Sequence, residues 1–218
     1  MRSIGRLTRG LALVSLLPAA AAAQEQPFND SWFWGVKGGG MTVKTPYESK
    51  FAPTAGLEWF ITRTRAGLYV SVEQGFFDGA RGLARDTSVA SGYRQVGLED
   101  FRRASASLLG FPKQLGPVRP YVGAGFAINM VQRVVPNGTY TSEEAKEFVM
   151  ESIEDRRTRT SMLLMGGLQA TVANVGVFGQ ATVMPTGSQF FLNGADATYM
   201  LEAGLRLNVG SAIERFDR

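Results

Sequence analysis

The sequence contains no cysteine and no histidine in 218 residues. Without cysteine there are no disulfides, no thiolate metal sites and no thiol nucleophiles. Without histidine the commonest general base and the commonest zinc ligand are missing. Ser-His-Asp, Cys-His and histidine-containing zinc chemistry are therefore excluded. Long hydrophobic runs are also missing: beyond the first two dozen residues no segment reaches eighteen uncharged apolar residues, so no spanning helix is expected. What is abundant is small and apolar, with 26 Gly, 14 Phe and 44% hydrophobic residues. Mean hydropathy is nevertheless only −0.04, so apolar residues must be interleaved with small and polar ones. The length suits one domain, or two small ones at most.

Residues 1–23 read as a secretory signal peptide. Arg2, Arg6 and Arg9 form a basic start, Gly10 to Ala23 is uncharged and centred on Leu11, Leu13, Val14, Leu16 and Leu17, and Ala21-Ala22-Ala23 supplies a small-residue cleavage site. The mature chain is then expected to be residues 24–218. Three arginines and no acids leave with the leader, so twenty bases face nineteen acids. The basic pI of 9.6 therefore gives no support to a nucleic-acid partner. No cysteine follows the leader, which excludes a lipoprotein anchor.

From Ser31 onward the period is two, the period of a strand. In the last segment Tyr199, Leu201, Ala203, Leu205, Leu207 and Val209 share one face, while Met200, Glu202, Gly204, Arg206 and Asn208 share the other. The same split separates Trp32, Trp34 and Val36 from Phe33, Gly35 and Lys37. It also separates Leu57 and Trp59 from Glu58 and Phe60, and Val70 and Val72 from Ser71 and Glu73. Segments near 101–111, 122–130, 161–172 and 177–183 repeat it, and the spacing predicts eight strands. Connections after strands two, four and six are short (63–66, 112–117 and 173–175), whereas those after strands three and five are long (79–100 and 134–157). An even number of strands with tight turns at one end and long loops at the other is the pattern of an outer-membrane barrel. Trp32, Trp34 and Trp59 fall on the apolar face at the short-turn end, and Phe76 and Tyr199 at the other. This predicts two interfacial aromatic girdles.

The segments Gly116-Pro117-Val118-Arg119-Pro120-Tyr121-Val122-Gly123-Ala124-Gly125-Phe126 and Glu202-Ala203-Gly204-Leu205-Arg206-Leu207-Asn208-Val209-Gly210 carry a resemblance. The mature chain resembles the small eight-stranded bacterial outer-membrane β-barrel proteins, the group that includes the OmpA-type barrel domain. The resemblance implies an all-β, antiparallel up-and-down transmembrane barrel, residence in the outer membrane and insertion by the barrel-assembly machinery. It departs from the family at the end, where barrels commonly close on an aromatic residue; here Phe216 is followed by Asp217 and Arg218.

An eight-stranded barrel is only just wide enough for its own inward side chains. The polar face would place Lys37, Arg103 and Arg206 inside with Glu58, Glu73 and Glu202, three bases against three acids, surrounded by Asn129, Gln169 and Gln180. A two-residue turn at Asn174-Val175 would set Gln169 opposite Gln180. Such a set reads as a neutralised, plugging network, with a gated ion path or a ligand-binding lumen as its functional counterpart. The pair Glu58 and Glu73 is the one candidate for acid–base catalysis, and paired lumen charges are much the better account of it. No catalytic, cofactor or metal residues are assigned. Gly38-Gly39-Gly40 and Gly123-Ala124-Gly125 lack the GK[ST] of a phosphate loop, and Asn137-Gly138-Thr139 is discounted as a glycosylation site in a bacterial-type exported chain.

The connection 141–155 has helical character, with Thr141 and Glu144 as a capping box and Ala145, Phe148, Val149 and Ile153 on one face. Arg81, Arg85 and Arg94 in the other long loop suit contact with anionic headgroups, that is, outer-membrane lipid and lipopolysaccharide. The sequence thus describes a monomeric, non-enzymatic membrane barrel with a structural or surface-interaction role. Two alternatives remain open: a small pore or carrier for ionic or hydrophobic solutes, and a soluble periplasmic lipocalin-like barrel with its apolar face turned inward.

Overall fold

The computed structural model describes residues 28–185, 187, 190–191 and 197–212. The expected leader, most of the connection from Ser188 to Ala197 and the Phe216-Asp217-Arg218 terminus lie outside the described residues. The chain forms β1 (Ser31–Lys44), β2 (Ser49–Thr62), β3 (Ala66–Gly75), β4 (Ala80–Arg85), β5 (Tyr93–Gly110), β6 (Val118–Pro136), α1 (Glu143–Arg157), β7 (Thr158–Val172), β8 (Val175–Pro185) and β9 (Ala197–Ser211). All pairings are antiparallel, β1 pairs with β9, and β3 pairs with β5, closing the sheet. Eight strands make the wall. The ninth, β4, is an addition to the sequence reading, which leaves 79–100 as a plain loop. Ala80–Arg85 instead pairs with the upper part of β5 to form a hairpin standing on the barrel. Its Arg-Gly-Leu-Ala-Arg stretch is too short and too charged to show a period by itself.

Burial follows the alternation. In β1, Ser31, Phe33, Gly35 and Lys37 are buried while Trp32, Trp34 and Val36 are exposed. The outward row continues through Leu57, Val72, Leu108, Phe126, Leu164, Val177 and Leu205, each more than half exposed. A closed barrel this narrow has two environments, and the apolar set faces out.

At the short-turn end the hairpins are minimal. Leu115 and Val118 exchange both backbone bonds, at 2.9 and 3.1 Å, around Gly116-Pro117, with Gly116 at φ 59°. That conformation suits glycine at the first central position of a hairpin turn. Between β7 and β8 the central residues are Ala173 and Asn174, because Val172 pairs with Val175. This corrects the turn expected one residue later. Gln169 faces Phe178 and Gln180 faces Gly167, so no glutamine rung forms. The signal for a two-residue turn is present, but Ala173 carries the positive φ of 53°, which a sequence reading does not assign to alanine.

The opposite end carries a cap. Helix α1 starts at Ser142, whose hydroxyl accepts from the Ala145 amide at 3.2 Å, so the cap is Ser142 and not Thr141. Val149 and Ile153 are buried beneath it, together with Ala84, Val96, Leu98 and Val131. Arg94 joins the connections: its Nε donates to Asp86 at 2.7 Å, its Nη1 donates to the carbonyls of Asn137 and Thr139, and its guanidinium stacks 4.5 Å from the Tyr140 ring centroid.

Two predictions arise here. Replacing Ala173 with Gly relieves a left-handed alanine and should stabilise the barrel by about 1 kcal/mol, measured as a shifted urea midpoint with unchanged slope. The second concerns acid. Hydrogen bonds from the Ser88 hydroxyl, then its amide, and the Arg94 ion pair hold the Asp86 carboxyl below its ordinary value of 3.8. A depressed carboxyl contributes its stabilisation above the unfolded value and loses it as pH falls through the folded one. Proteolysis within 86–92 should therefore be pH-independent above pH 5 and rise only below pH 3.8. The Asp86→Asn variant should be cut readily at every pH.

Candidate functional site: the barrel interior

The interior is layered. At the short-turn end Phe28, Phe33, Phe60 and Phe111 pack ring against ring, with centroid separations from 5.2 to 6.2 Å. Phe28 precedes β1 and lies across the opening, where the Arg119 guanidinium covers it at 3.8 Å from its ring centroid. At the long-loop end the interior is apolar again, filled by Met41, Val43, Phe101, Met184 and Met200 below the hairpin and α1. Within the wall, charge is confined to the middle; the buried Arg94–Asp86 pair belongs to the connections above it.

That middle layer contains all six inward charges. Arg206, on β9, is fully buried and ion-paired to Glu58 of β2 through Nε, while its Nη1 donates to Gln169 of β7 at 2.5 Å. Its guanidinium also stacks 3.8 Å from the Phe178 centroid and 4.8 Å from that of Phe60. Lys37, on β1, is ion-paired to Glu73 of β3 and lies 3.1 Å from Glu202 of β9. Arg103, on β5, is paired to Glu73 through Nε and reaches Glu202 at 3.8 Å through Nη2. The Tyr69 hydroxyl connects the two groups: it donates to Glu58 at 2.9 Å and accepts from Lys37 at 2.8 Å. The alternation places Tyr69 on the inward face with Ser71 and Glu73, but sequence reasoning does not assign it to the network, because sharing a face does not show which groups a hydroxyl will meet.

The smaller polar groups complete the layer. Gln180 donates to Glu202 at 3.1 Å and to Tyr69 at 3.2 Å, and accepts from Tyr121 at 3.1 Å. Ser71 donates to Glu73 at 2.6 Å and meets Ser105 at 2.9 Å. Asn129 stands apart, bonded to Ser161 at 3.0 Å. Glu58 and Glu73, considered together as an acid–base pair, are committed to different cations.

Local sequence makes room for these side chains. Gly35 is the cross-strand partner of Glu58, and a Cβ on it would lie 2.7 Å from Glu58 Oε1. Gly56 is the partner of Glu73, and a Cβ there would lie 2.7 Å from its Cγ. A large inward side chain opposite an inward glycine lets a narrow barrel hold charged groups without clash.

On the outside, Trp32 and Trp34 flank Trp59, at centroid distances of 5.5 and 6.4 Å, near the short-turn end. Trp59 is consequently only half-buried against its neighbours. Phe76 and Tyr199 stand exposed on the outer face at the other end, 47% and 55% accessible.

A closed eight-stranded antiparallel barrel with an apolar exterior and a charged, side-chain-filled interior is the architecture of the small outer-membrane barrels. The chain is similar in fold to the crystal structure of Neisserial surface protein A, with a TM-score of 0.55 and 14% identity over 81% of this chain and 96% of that one. Weaker similarities are to the N-terminal β-barrel domain of Pseudomonas aeruginosa OprF, with TM-score 0.48, 11% identity and coverage of 83% and 98%. Ail, the attachment invasion locus protein of Yersinia pestis, solved with the heparin analogue sucrose octasulfate, gives 0.45, 16%, 82% and 99%. No protein-family model and no curated protein matches the sequence.

The network makes a quantitative prediction. Arg206→Gln leaves Glu58 buried without its cation and should cost about 3–5 kcal/mol, and Glu58→Gln a similar amount. The double variant should cost less than the sum by about 1–3 kcal/mol. Urea unfolding of the four proteins in one detergent measures the coupling; strict additivity would contradict the pairing.

Proposed function

We propose that this chain is an integral protein of a bacterial outer membrane, exported by the leader 1–23 and inserted as the barrel 24–218 by the barrel-assembly machinery. Its role is structural or surface-interacting, without catalysis. The observation that carries the reading is the direction of the two faces. Val36, Leu57, Leu164 and Leu205 lie outward and more than half exposed, while Lys37, Glu58, Arg103 and Arg206 are almost completely buried. In water that exterior would be a very large apolar patch; against lipid it is the expected surface. A lipocalin-like soluble barrel requires the reverse arrangement. Trp32, Trp34 and Trp59 then serve as one interfacial girdle, and Phe76 and Tyr199 as the other.

The interior supports a plugged barrel more than a pore. Aromatic rings occupy the short-turn end, the six charges neutralise one another in the middle, and an apolar layer under α1 occupies the long-loop end. The cap of hairpin and helix faces outward into the lipopolysaccharide layer, and the barrel acts as a monomer. Glu58, Glu73 and Glu202 are each ion-paired to a buried cation, which supports a non-enzymatic role.

Carbonate extraction and heat-modifiable gel migration test the first part. The protein should stay with the membrane and migrate faster unheated; release into the soluble fraction would overturn the reading. Planar-bilayer recording tests the second. The wild-type protein should show no steady conductance. Strong conductance that changes in Glu73→Gln and Arg206→Gln would replace the plugged barrel with a pore.

A further inference from the structure

The connection from β6 to α1 contains a reactive pair of residues outside the barrel wall. Pro136 ends β6, and Asn137 and Gly138 follow, both exposed, before Thr139 and Tyr140 lead on to the helix. The main chain is fixed just before them, where the Asn137 amide donates to the Gln95 carbonyl at 3.0 Å. The groups that follow are not. Among the described residues neither the Asn137 side chain nor the Gly138 amide makes a hydrogen bond.

An asparagine followed by glycine carries its own electrophile and its own nucleophile. The electrophile is the side-chain amide carbon, and the nucleophile is the next main-chain nitrogen after loss of its proton. Because the peptide unit is conjugated, the charge left by that proton spreads onto the carbonyl oxygen of the preceding residue. Here that oxygen belongs to Asn137, and Arg94 Nη1 donates to it at 2.8 Å. A cation therefore stands where charge develops, as a donor does in an oxyanion hole. Asp86 takes the Nε edge of Arg94 at 2.7 Å, which leaves Nη1 to the carbonyls of Asn137 and Thr139. Tyr140 covers the guanidinium, and Arg94 is only 8% exposed, so water screens it little. Gly138 has φ 84°, and a Cβ on it would lie 3.2 Å from Arg94 Nη1. Glycine is what lets the guanidinium come this close.

We propose that Asn137–Gly138 is a self-modification site, at which Arg94 promotes cyclisation of Asn137 and its hydrolysis to an isoaspartyl residue. Hydroxide takes the Gly138 amide proton, and the nitrogen attacks Asn137 Cγ. A C–N bond forms to Cγ and the Cγ–Nδ2 bond breaks. The leaving nitrogen takes a proton from water and departs as ammonia, which restores the hydroxide. The succinimide ring left behind has two carbonyls, one from the side chain and one from the main chain. Arg94 polarises the main-chain carbonyl, so water adds there and opens the ring at that bond. The chain then runs through Cγ, one methylene longer, and the former main-chain carbonyl becomes a free carboxylate beside Arg94. One water is consumed and one ammonia released. The residue that joins the connections at the long-loop end thereby exchanges a neutral partner for an anion.

The folded barrel in detergent, held at mildly alkaline pH, tests this. Proteolytic digests read by mass spectrometry follow amide-to-carboxyl exchange at Asn137 and, as a reference, at the second Asn-Gly pair, Asn193–Gly194. Arg94→Gln should slow the reaction at Asn137 roughly tenfold, the difference between a charged and a neutral hydrogen bond. It should also lower the share of isoaspartate over aspartate there, with Arg94→Lys intermediate and Asn193 unchanged. Heat-modifiable migration reports that each variant is folded. Loosening a loop would by itself speed cyclisation, so an equal or faster rate at Asn137 in Arg94→Gln overturns the proposal. Equal slowing at both pairs overturns it too. A second measurement needs no variant, because base-catalysed exchange of an amide proton with water passes through the same anion. By NMR, the Gly138 amide of the wild-type barrel should exchange faster than in a free peptide of residues 134–140. Slower exchange in the barrel would contradict the role given to Arg94.

Discussion

The geometry of an eight-stranded barrel imposes one constraint on everything inside it: inward side chains must fill the space and satisfy each other, because there is no bulk water to do so. Arg206 shows how this is met. Its charge is opposed by Glu58, one of its remaining N–H groups goes to Gln169, and its planar faces are covered by Phe178 and Phe60. An arginine can do this where a lysine cannot, since its fixed donor fork and flat delocalised cation accept both an ion pair and ring stacking. The Tyr69 hydroxyl then passes the arrangement on, coupling Glu58 to Lys37 and through it to Glu73, Glu202 and Arg103.

This coupling explains why the charges occupy one layer. A buried ion gains from each opposite neighbour and is penalised for each missing hydrogen bond. Concentrating three cations and three carboxylates within one band keeps the net charge of the interior at zero while giving most groups two partners. The layers above and below are then free to be apolar, and they are, with phenylalanines at the short-turn end and methionine, valine and alanine under the cap. The glycines at 35 and 56 belong to the same solution, since any side chain there would displace the carboxylates of Glu58 and Glu73.

The architecture was largely legible in the sequence because a period of two over ten or more residues has few other causes, and unequal connections orient the barrel. The alternation also places Lys37, Glu58, Glu73, Arg103, Glu202 and Arg206 on a common face. It carries no information on which cation meets which carboxylate, since partners come from strands far apart in sequence and depend on register. The register of β7 with β8 illustrates the difficulty: moving the turn from Asn174-Val175 to Ala173-Asn174 shifts every pair and removes the direct contact between Gln169 and Gln180. The hairpin β4 was illegible for another reason. Six residues with two arginines have no hydrophobic face to display, and their strand form is imposed by the upper part of β5. The helix cap differs by one residue, Ser142 for Thr141, because both are competent caps and tertiary packing of Val149 and Ile153 fixes the helix phase.

The layering bears on whether such a barrel can transmit anything along its axis. A path through it would have to displace the Phe28–Phe111 contact at one end, separate ion pairs in the middle and lift α1 at the other. Separation of even one buried pair costs several kcal/mol, and the three barriers stand in series. The wall at the long-loop end presents a different balance. Between β2 and β4 no ladder forms among the described strands, but the free edge of β4 is bonded to Glu48, Ser152 and Arg156, and β5 runs on beside β6 through residues 96–99 paired with 133–136. The hairpin is thus held on both sides, by side chains at its free edge and by the β5–β6 ladder at the other, with Ala84, Val96 and Leu98 buried beside Val149 and Ile153 of α1.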